Sequence, residues 1–217
     1  IGSFCSRAKI NLNLNIENPF CSEPLEYVSH DSLLADYDFE SIFVKPAEHM
    51  LKAENTSIKS QNLLVNAQQT AGNIFSTDSS FSKKIGNIID AELQRYRANF
   101  SNSKEGFLLN WPAEYSLFGW IISYKTGGSI KPHIHENGWL SGSIYINIPE
   151  SSGPDDGSLF VSLDSTEYSA NADNSSGRII NVSTGSLCLF PASLHHCTVP
   201  FTSLDDRIVL AFDVVPN

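Results

Sequence analysis

Residues 127–149 read GGSIKPHIHENGWLSGSIYINIP, and from this stretch the fold is read. His133 and His135 are separated by one residue. On a strand, residues i and i+2 project to one face with Cα atoms roughly 6.5–7 Å apart, so both imidazoles reach toward one cation while Ile134 faces the other way. The run that follows alternates, with Gly142, Ile144, Ile146 and Ile148 on one side and Ser141, Ser143, Tyr145 and Asn147 on the other. That polar stripe fits a wet, hydrogen-bonding pocket inside a two-layered β structure, or the solvent face of an antiparallel sheet.

Working outward, the chain from residue 116 onward is a series of short β-rich runs: LFGWIISY, KPHIH, SGSIYINIP, SLFVSL, RIINV, SLCLFP, HHCTVP and RIVLAFDVV. Gly, Pro, Asn, Asp and Ser break them, and no helix-length segment intervenes, which predicts about eight antiparallel strands. The fold class is mainly β (α+β), a cupin-like jelly roll or double-stranded β-helix with N-terminal flanking helices. Upstream, Phe81, Ile85, Ile88, Ile89, Leu93, Tyr96 and Phe100 recur at three- and four-residue steps, predicting an amphipathic helix from Ser79 to Phe100 packed on a sheet. A shorter helix is predicted at 42–52, with Pro46 in its first turn. SSGPDDG at 151–157 reads as a turn and SANADNSSG at 169–177 as a mobile loop. The 217 residues suit one domain, with 1–110 as helical flank and first strands and 115–216 as the jelly-roll core.

The formal net charge is −10, and residues 110–217 carry four basic side chains, Lys125, Lys131, Arg178 and Arg207, against eleven acids. Phosphate backbones find no positive stripe, so nucleic acid is not an expected partner. No apolar run approaches the roughly 18 residues of a membrane span, and the opening residues lack a signal-peptide apolar stretch, so a cytoplasmic protein without membrane partners is expected. Cys5, Cys21, Cys188 and Cys197 form no CxxC pair, and Cys188 reads as a small buried hydrophobe. The sequons at Asn174 and Asn181 matter only in a secreted chain.

Four of the six histidines fall in two clusters, His133 with His135 and His195 with His196, about 60 residues apart; His30 and His49 read as structural or solvent-facing. A pair on one strand face needs a third ligand from elsewhere in the fold. Imidazole suits iron, zinc, copper and nickel, and three protein ligands with open positions form a catalytic rather than a structural arrangement. Eleven residues after His196, Arg207 opens the last apolar strand, sharing a face with Val209, Ala211 and Asp213. A guanidinium inside a barrel mouth needs a carboxylate, either protein-borne or brought by a ligand. The alternative is a surface ion pair with Asp205 or Asp206.

Three blocks, GGSIKPHIHENGWLSGSIYINIP, GSLCLFPASLHHCTVPF and DDRIVLAFDV, together resemble the Fe(II)- and 2-oxoglutarate-dependent oxygenases, in particular a bacterial and phage branch with H-x-H, W-x-SG-x-x-Y, FPS-x-L-x-H and R-x-x-x-x-F blocks. The likeness covers about residues 115–215, with a weaker echo in SQNLLVNAQQTAGNIF. By that resemblance His133 and His196 bind iron and Arg207 pairs with the distal carboxylate of 2-oxoglutarate. Tyr145 gives that carboxylate a second hydrogen bond, with Ser143 and Asn147 beside it on the polar stripe. The familiar form of the family is H-x-D, whereas position 135 is His. Either His135 binds the metal, an acid such as Glu136 or Asp156 substitutes, or two histidines suffice; the first is favoured.

The resemblance implies Fe(II), 2-oxoglutarate and O₂ as cofactors and co-substrate, and hydroxylation of a small molecule or protein side chain with release of succinate and CO₂. Trp120 and Trp139 are candidates for the substrate pocket wall, and a homodimer stays open. Two competing readings are a non-catalytic cupin-like module holding zinc or nickel, and a three-histidine dioxygenase that needs no keto acid. Neither requires a buried cation at position 207.

Overall fold

The period-two alternation along residues 207–214 is what layers the molecule. In the computed structural model, ten strands occur among the described residues: β1 (Ser29–Ser32), β2 (Ile58–Lys59), β3 (Leu64–Thr70), β4 (Tyr115–Ile130), β5 (Leu140–Asn147), β6 (Leu159–Ser162), β7 (Gly177–Ile180), β8 (Ser186–Pro191), β9 (His195–Thr198) and β10 (Arg207–Pro216). They are accompanied by α1 (Gly2–Asn11), α2 (Lys45–Lys52), α3 (Ser80–Asn99) and α4 (Gly106–Leu109). The structure describes every residue except 1, 13, 15, 54–55, 60, 78, 151–152 and 170–175. The expected turn at 151–157, the expected loop at 169–177 and the sequon at Asn174 therefore lie partly outside the described residues.

Seven strands form one sheet in the order β1-β8-β5-β10-β4-β3-β2, and three form a second, β7-β6-β9. All pairings are antiparallel. An isolated bridge between His133 and His196 extends the small sheet past β9. This is the double-stranded β-helix expected from the strand spacing. Central β10 is buried from Arg207 to Val214 and separates two apolar layers. Ile208, Leu210, Phe212 and Val214 face a cluster shared with Ile85, Ile89 and Leu93 of α3. Val209 and Ala211 face the space between the sheets, with Tyr145, Leu159 and Val161. Burying a Leu- or Phe-sized side chain contributes about 1.5–3 kcal/mol, so the two faces of this strand hold the layers together.

The helix over 80–99 begins where the sequence predicts, with the Ser79 hydroxyl accepting from the Ser82 amide at 3.0 Å. Its stripe, Ile85, Ile88, Ile89, Leu93 and Tyr96, is buried. Helical winding near 42–52 starts earlier than expected, with a wide turn over Glu40–Val44 feeding α2. β1 is an edge strand of four polar residues, SHDS, paired to β8 through backbone and a contact of His30 Nε2 with the Ser186 hydroxyl at 3.0 Å, so no apolar side-chain pattern announces it.

One register detail overturns an expectation. Tyr145 pairs with Val209 but Asn147 pairs with Ile208, leaving Ile146 as an extra residue in β5. A bulge slips the alternation by one position. Asn147 consequently leaves the inner face and donates from Nδ2 to the Asp206 carbonyl at 2.7 Å, while Ile148 packs against the inner cluster. Gly142 is required on the same strand, because a Cβ there would lie 2.2 Å from the Phe212 ring.

Candidate metal centre

His133 follows β4 and is tied to β9 by reciprocal backbone bonds, His133 N–H to His196 O at 3.2 Å and His196 N–H to His133 O at 2.9 Å. That pairing brings two residues more than sixty positions apart side by side, and His135 joins them from the same segment. Ligand atoms of His133, His135 and His196 all lie within 4.8 Å of one another, the spacing of donors around one cation. Among the described residues no carboxylate completes the group; Glu136 instead lines a neighbouring cleft. His195, adjacent on β9, stays out of the group, as do His30 and His49.

The hydrogen bonds behind the rings fix which nitrogen each presents. Nδ1 of His133 meets the Lys131 carbonyl at 2.8 Å, and Nδ1 of His196 meets the Leu194 carbonyl at 3.4 Å. Nδ1 of His135 meets Asp213 Oδ1 at 2.6 Å. A carbonyl oxygen only accepts, so the proton sits on Nδ1 of His133 and His196 and their Nε2 lone pairs are left for a metal. Burial, reinforced by the facing imidazole of His135, holds His133 down at about 4. Burial first, then His133 and His135, pushes His196 well below the ordinary histidine value. Both are neutral at pH 7, the form in which imidazole binds metal.

Arg207 is 1% exposed. Its Nη2 donates to the Gly157 carbonyl at 3.1 Å, its guanidinium lies 5.1 and 5.2 Å from the Tyr124 and Tyr145 ring centroids, and its Nε has no partner. The surface ion pair considered from sequence is absent, because Asp206 is engaged by Lys125 and Asp205 is exposed. Gly157 adopts φ +71°, a left-handed turn conformation that favours glycine, and so gives the arginine a backbone rather than an acidic partner. Burial raises the Tyr145 phenol well above its ordinary value, so it keeps its proton and acts as a donor.

The three histidines share one narrow cavity with Arg207, Tyr145, Ser143 and Trp120. The Trp120 indole N–H is buried without a partner. Trp139 lies instead on an adjoining cleft with Phe4, Phe20, Ile134 and His135, and its N–H is spent on the Phe107 carbonyl at 2.8 Å. Asn147 is absent from the cavity lining, for the bulge described above. Sequence reasoning missed Asp213, Ser141 and Tyr124 as parts of the site. The signal for Asp213 was present, since alternation already set it on the face of Arg207. Burial lifts the Cys188 thiol to about 12, which makes it an inert core residue, and all four cysteines are free.

The interior of this double-stranded β-helix holds three convergent imidazoles and, in the same cavity, a buried guanidinium whose Nε has no partner. Residues 119–213, which contain all of these groups, match the model of a family described as "Putative 2OG-Fe(II) oxygenase". Among curated proteins no sequence match is found. Among solved structures the chain is similar to a prolyl-4-hydroxylase from Pseudomonas putida, with TM-score 0.59 and 12% identity over 88% of this chain and 92% of that one. It is also similar to a prolyl hydroxylase from Trichoplax adhaerens solved with a hypoxia inducible factor peptide, with TM-score 0.57 and 12% identity over 98% and 88%. HygX from Streptomyces hygroscopicus, solved with nickel and 2-oxoglutarate, gives TM-score 0.52 and 10% identity over 88% and 83%. At these identities the likeness is one of fold. No helix among the described residues is long and apolar enough to cross a membrane.

Proposed function

We propose that the chain is an Fe(II)- and 2-oxoglutarate-dependent dioxygenase that hydroxylates its substrate and releases succinate and CO₂. The observation that carries this reading is Arg207. A buried guanidinium with an unpartnered Nε, in the cavity that holds three imidazoles, calls for a small anion able to touch both. A dicarboxylate keto acid has that chemistry. A metal-only binding module leaves this cation unexplained, and so does a three-histidine dioxygenase that uses no keto acid.

The donor set fits the metal: three imidazoles with Nε2 free suit Fe(II) and leave coordination positions open. When bound, iron supplies activation of O₂ coupled to decarboxylation of the keto acid. His133, His135 and His196 hold it. Arg207 binds the distal carboxylate of the keto acid, and the Tyr145 and Ser143 hydroxyls donate beside it. Leu159, Ile122 and Val209 line the cavity and keep water out. Free space inside is about 30 Å³, one water molecule's share, so a diacid enters as the lining side chains give way.

The substrate, a small molecule or a protein side chain, is assigned to the cleft of Phe4, Phe20, Ile134 and Trp139 that opens beside His135. The net charge of −10 favours neutral or basic substrates over nucleic acid in a cytoplasmic setting. The test is succinate formation from 2-oxoglutarate by Fe(II)-loaded protein in air. Slow turnover that disappears in His196→Ala and Arg207→Gln is expected; succinate undiminished in Arg207→Gln contradicts the proposal.

A further inference from the structure

Asp213 is a buried acid, 6% exposed, near the end of an apolar strand, and no lysine or arginine pairs with it among the described residues. Its Oδ1 accepts from two groups, the Ser141 hydroxyl at 2.7 Å and Nδ1 of His135 at 2.6 Å. Ser141 Oγ also lies 3.4 Å from that nitrogen, so serine, acid and imidazole form a closed triangle. Burying a carboxylate is costly unless its lone pairs are met, and here the serine and the ring N–H meet those of Oδ1. The other two histidines rest on neutral carbonyls. His135 alone rests on a carboxylate.

A dication among three neutral imidazoles keeps its full double charge in an apolar cavity, which destabilises the bound state. A carboxylate in contact with a ligand's far N–H polarises the ring, raises the basicity of the metal-facing nitrogen and lowers the net charge by one. We infer that Asp213 is the positioning residue of the metal centre: it holds His135 with its proton on Nδ1 and Nε2 toward the metal, and it returns to the three imidazoles the negative charge they lack. This rests on the metal-binding reading above. The position also explains why the face of β10 that begins with a cation ends with an anion: Arg207 is left for the ligand, and Asp213 is committed to the metal side.

A purely structural role for Asp213 would be to pin the 135–141 segment to β10. Asp213→Asn separates the two, because its amide oxygen accepts both hydrogen bonds while the charge is gone. The probe is Co(II) titrated into metal-free protein, followed by its visible absorption, alongside the melting temperature. Asp213→Asn is expected to weaken Co(II) binding by about 10–100-fold with a nearly unchanged metal-free melting temperature, and to raise the Fe(III)/Fe(II) midpoint potential. The double variant His135→Asp with Asp213→Asn moves the carboxylate to the metal itself and is expected to recover Co(II) affinity. His135→Asp alone sets two carboxylates against each other and is expected to bind less tightly than the double variant.

Wild-type affinity in Asp213→Asn overturns the inference and makes Asp213 a structural pin. No Co(II) binding by the wild-type protein overturns the metal reading itself, a separate result. If Asp213→Asn does not fold, the double variant decides: folded and metal-binding supports the assignment, folded without metal overturns it. Failure of both to fold even with excess Co(II) assigns Asp213 to the fold and also overturns it.

Discussion

Replacing Arg207 with glutamine separates the proposed ligand pocket from the metal centre, because the guanidinium touches Gly157, Tyr124 and Tyr145 but none of the histidines. For the wild-type protein held with Co(II), 2-oxoglutarate at 100 times its Kd stabilises the fold by about 2.7 kcal/mol. At about 2–4 °C per kcal/mol for a chain of this size, the melting temperature rises by about 5–11 °C. Removing one charged hydrogen-bonding partner from a buried carboxylate costs about 3 kcal/mol, or roughly 150-fold in Kd. At the same concentration the variant then sits at about 0.7 of its own Kd, worth about 0.3 kcal/mol and about 1 °C. Without ligand, Arg207→Gln should melt no lower than wild type, since the change removes a buried charge that has no carboxylate partner while glutamine can still donate to Gly157 O. Thermal melts under anaerobic conditions, with and without keto acid, read both effects. A variant that keeps the full ligand-induced shift, or that loses Co(II) binding as well, refutes the assignment of Arg207.

His133→Ala and His196→Ala should abolish Co(II) binding in titrations of metal-free protein, whereas His195→Ala should bind close to wild type; metal loss in His195→Ala instead would shift the register of β9 by one residue. Acid should destabilise the metal-free fold. The folded value of His133 is about 4 and that of His196 is also depressed, well below the ordinary histidine value of about 6.5. Between about 6.5 and 4 the unfolded chain binds more protons, so stability is full above the unfolded value and declines as pH falls through that window. Urea midpoints at pH 7.5 and pH 5 measure it, and equal midpoints would contradict the burial of these rings. Gly142→Ala drives a methyl into the Phe212 ring and should destabilise by about 1–3 kcal/mol, lowering the melting temperature by several degrees; an unchanged melt would mean that the two strands are farther apart than described.

The parts of the site that follow the strict two-residue period were legible in the sequence. Ser143 with Tyr145, and Arg207 with Val209 and Ala211, each share a face because a regular strand leaves no other choice, whereas the expected strand at KPHIH is only an isolated bridge at His133, and His133 and His135 converge without one. The length of β10 and the stripe of α3 were legible for the same reason. Asn147 was not, because the bulge at Ile146 carries no glycine or proline to mark it and appears only in pairing with β10. β1 was hidden because SHDS has no apolar alternation and owes its place to an open edge of β8. Asp213 sat in plain view on the correct face, but an acid near the end of an apolar strand reads as a strand terminus until His135 is brought 2.6 Å away. The cleft proposed for substrate depends on α1, whose sequence shows little amphipathic pattern, so its walls emerge only from packing.

The central claim is that three imidazoles and the Arg207 guanidinium serve one metal and one keto acid together. The most direct test is anaerobic titration of Fe(II)-loaded protein with 2-oxoglutarate, watching for the weak visible metal-to-ligand charge-transfer band. The account predicts a saturable band in the wild-type protein that is absent in His196→Ala and appears only at far higher keto acid concentration in Arg207→Gln. Fe(II) bound at the three histidines with no such band at any 2-oxoglutarate concentration would contradict it.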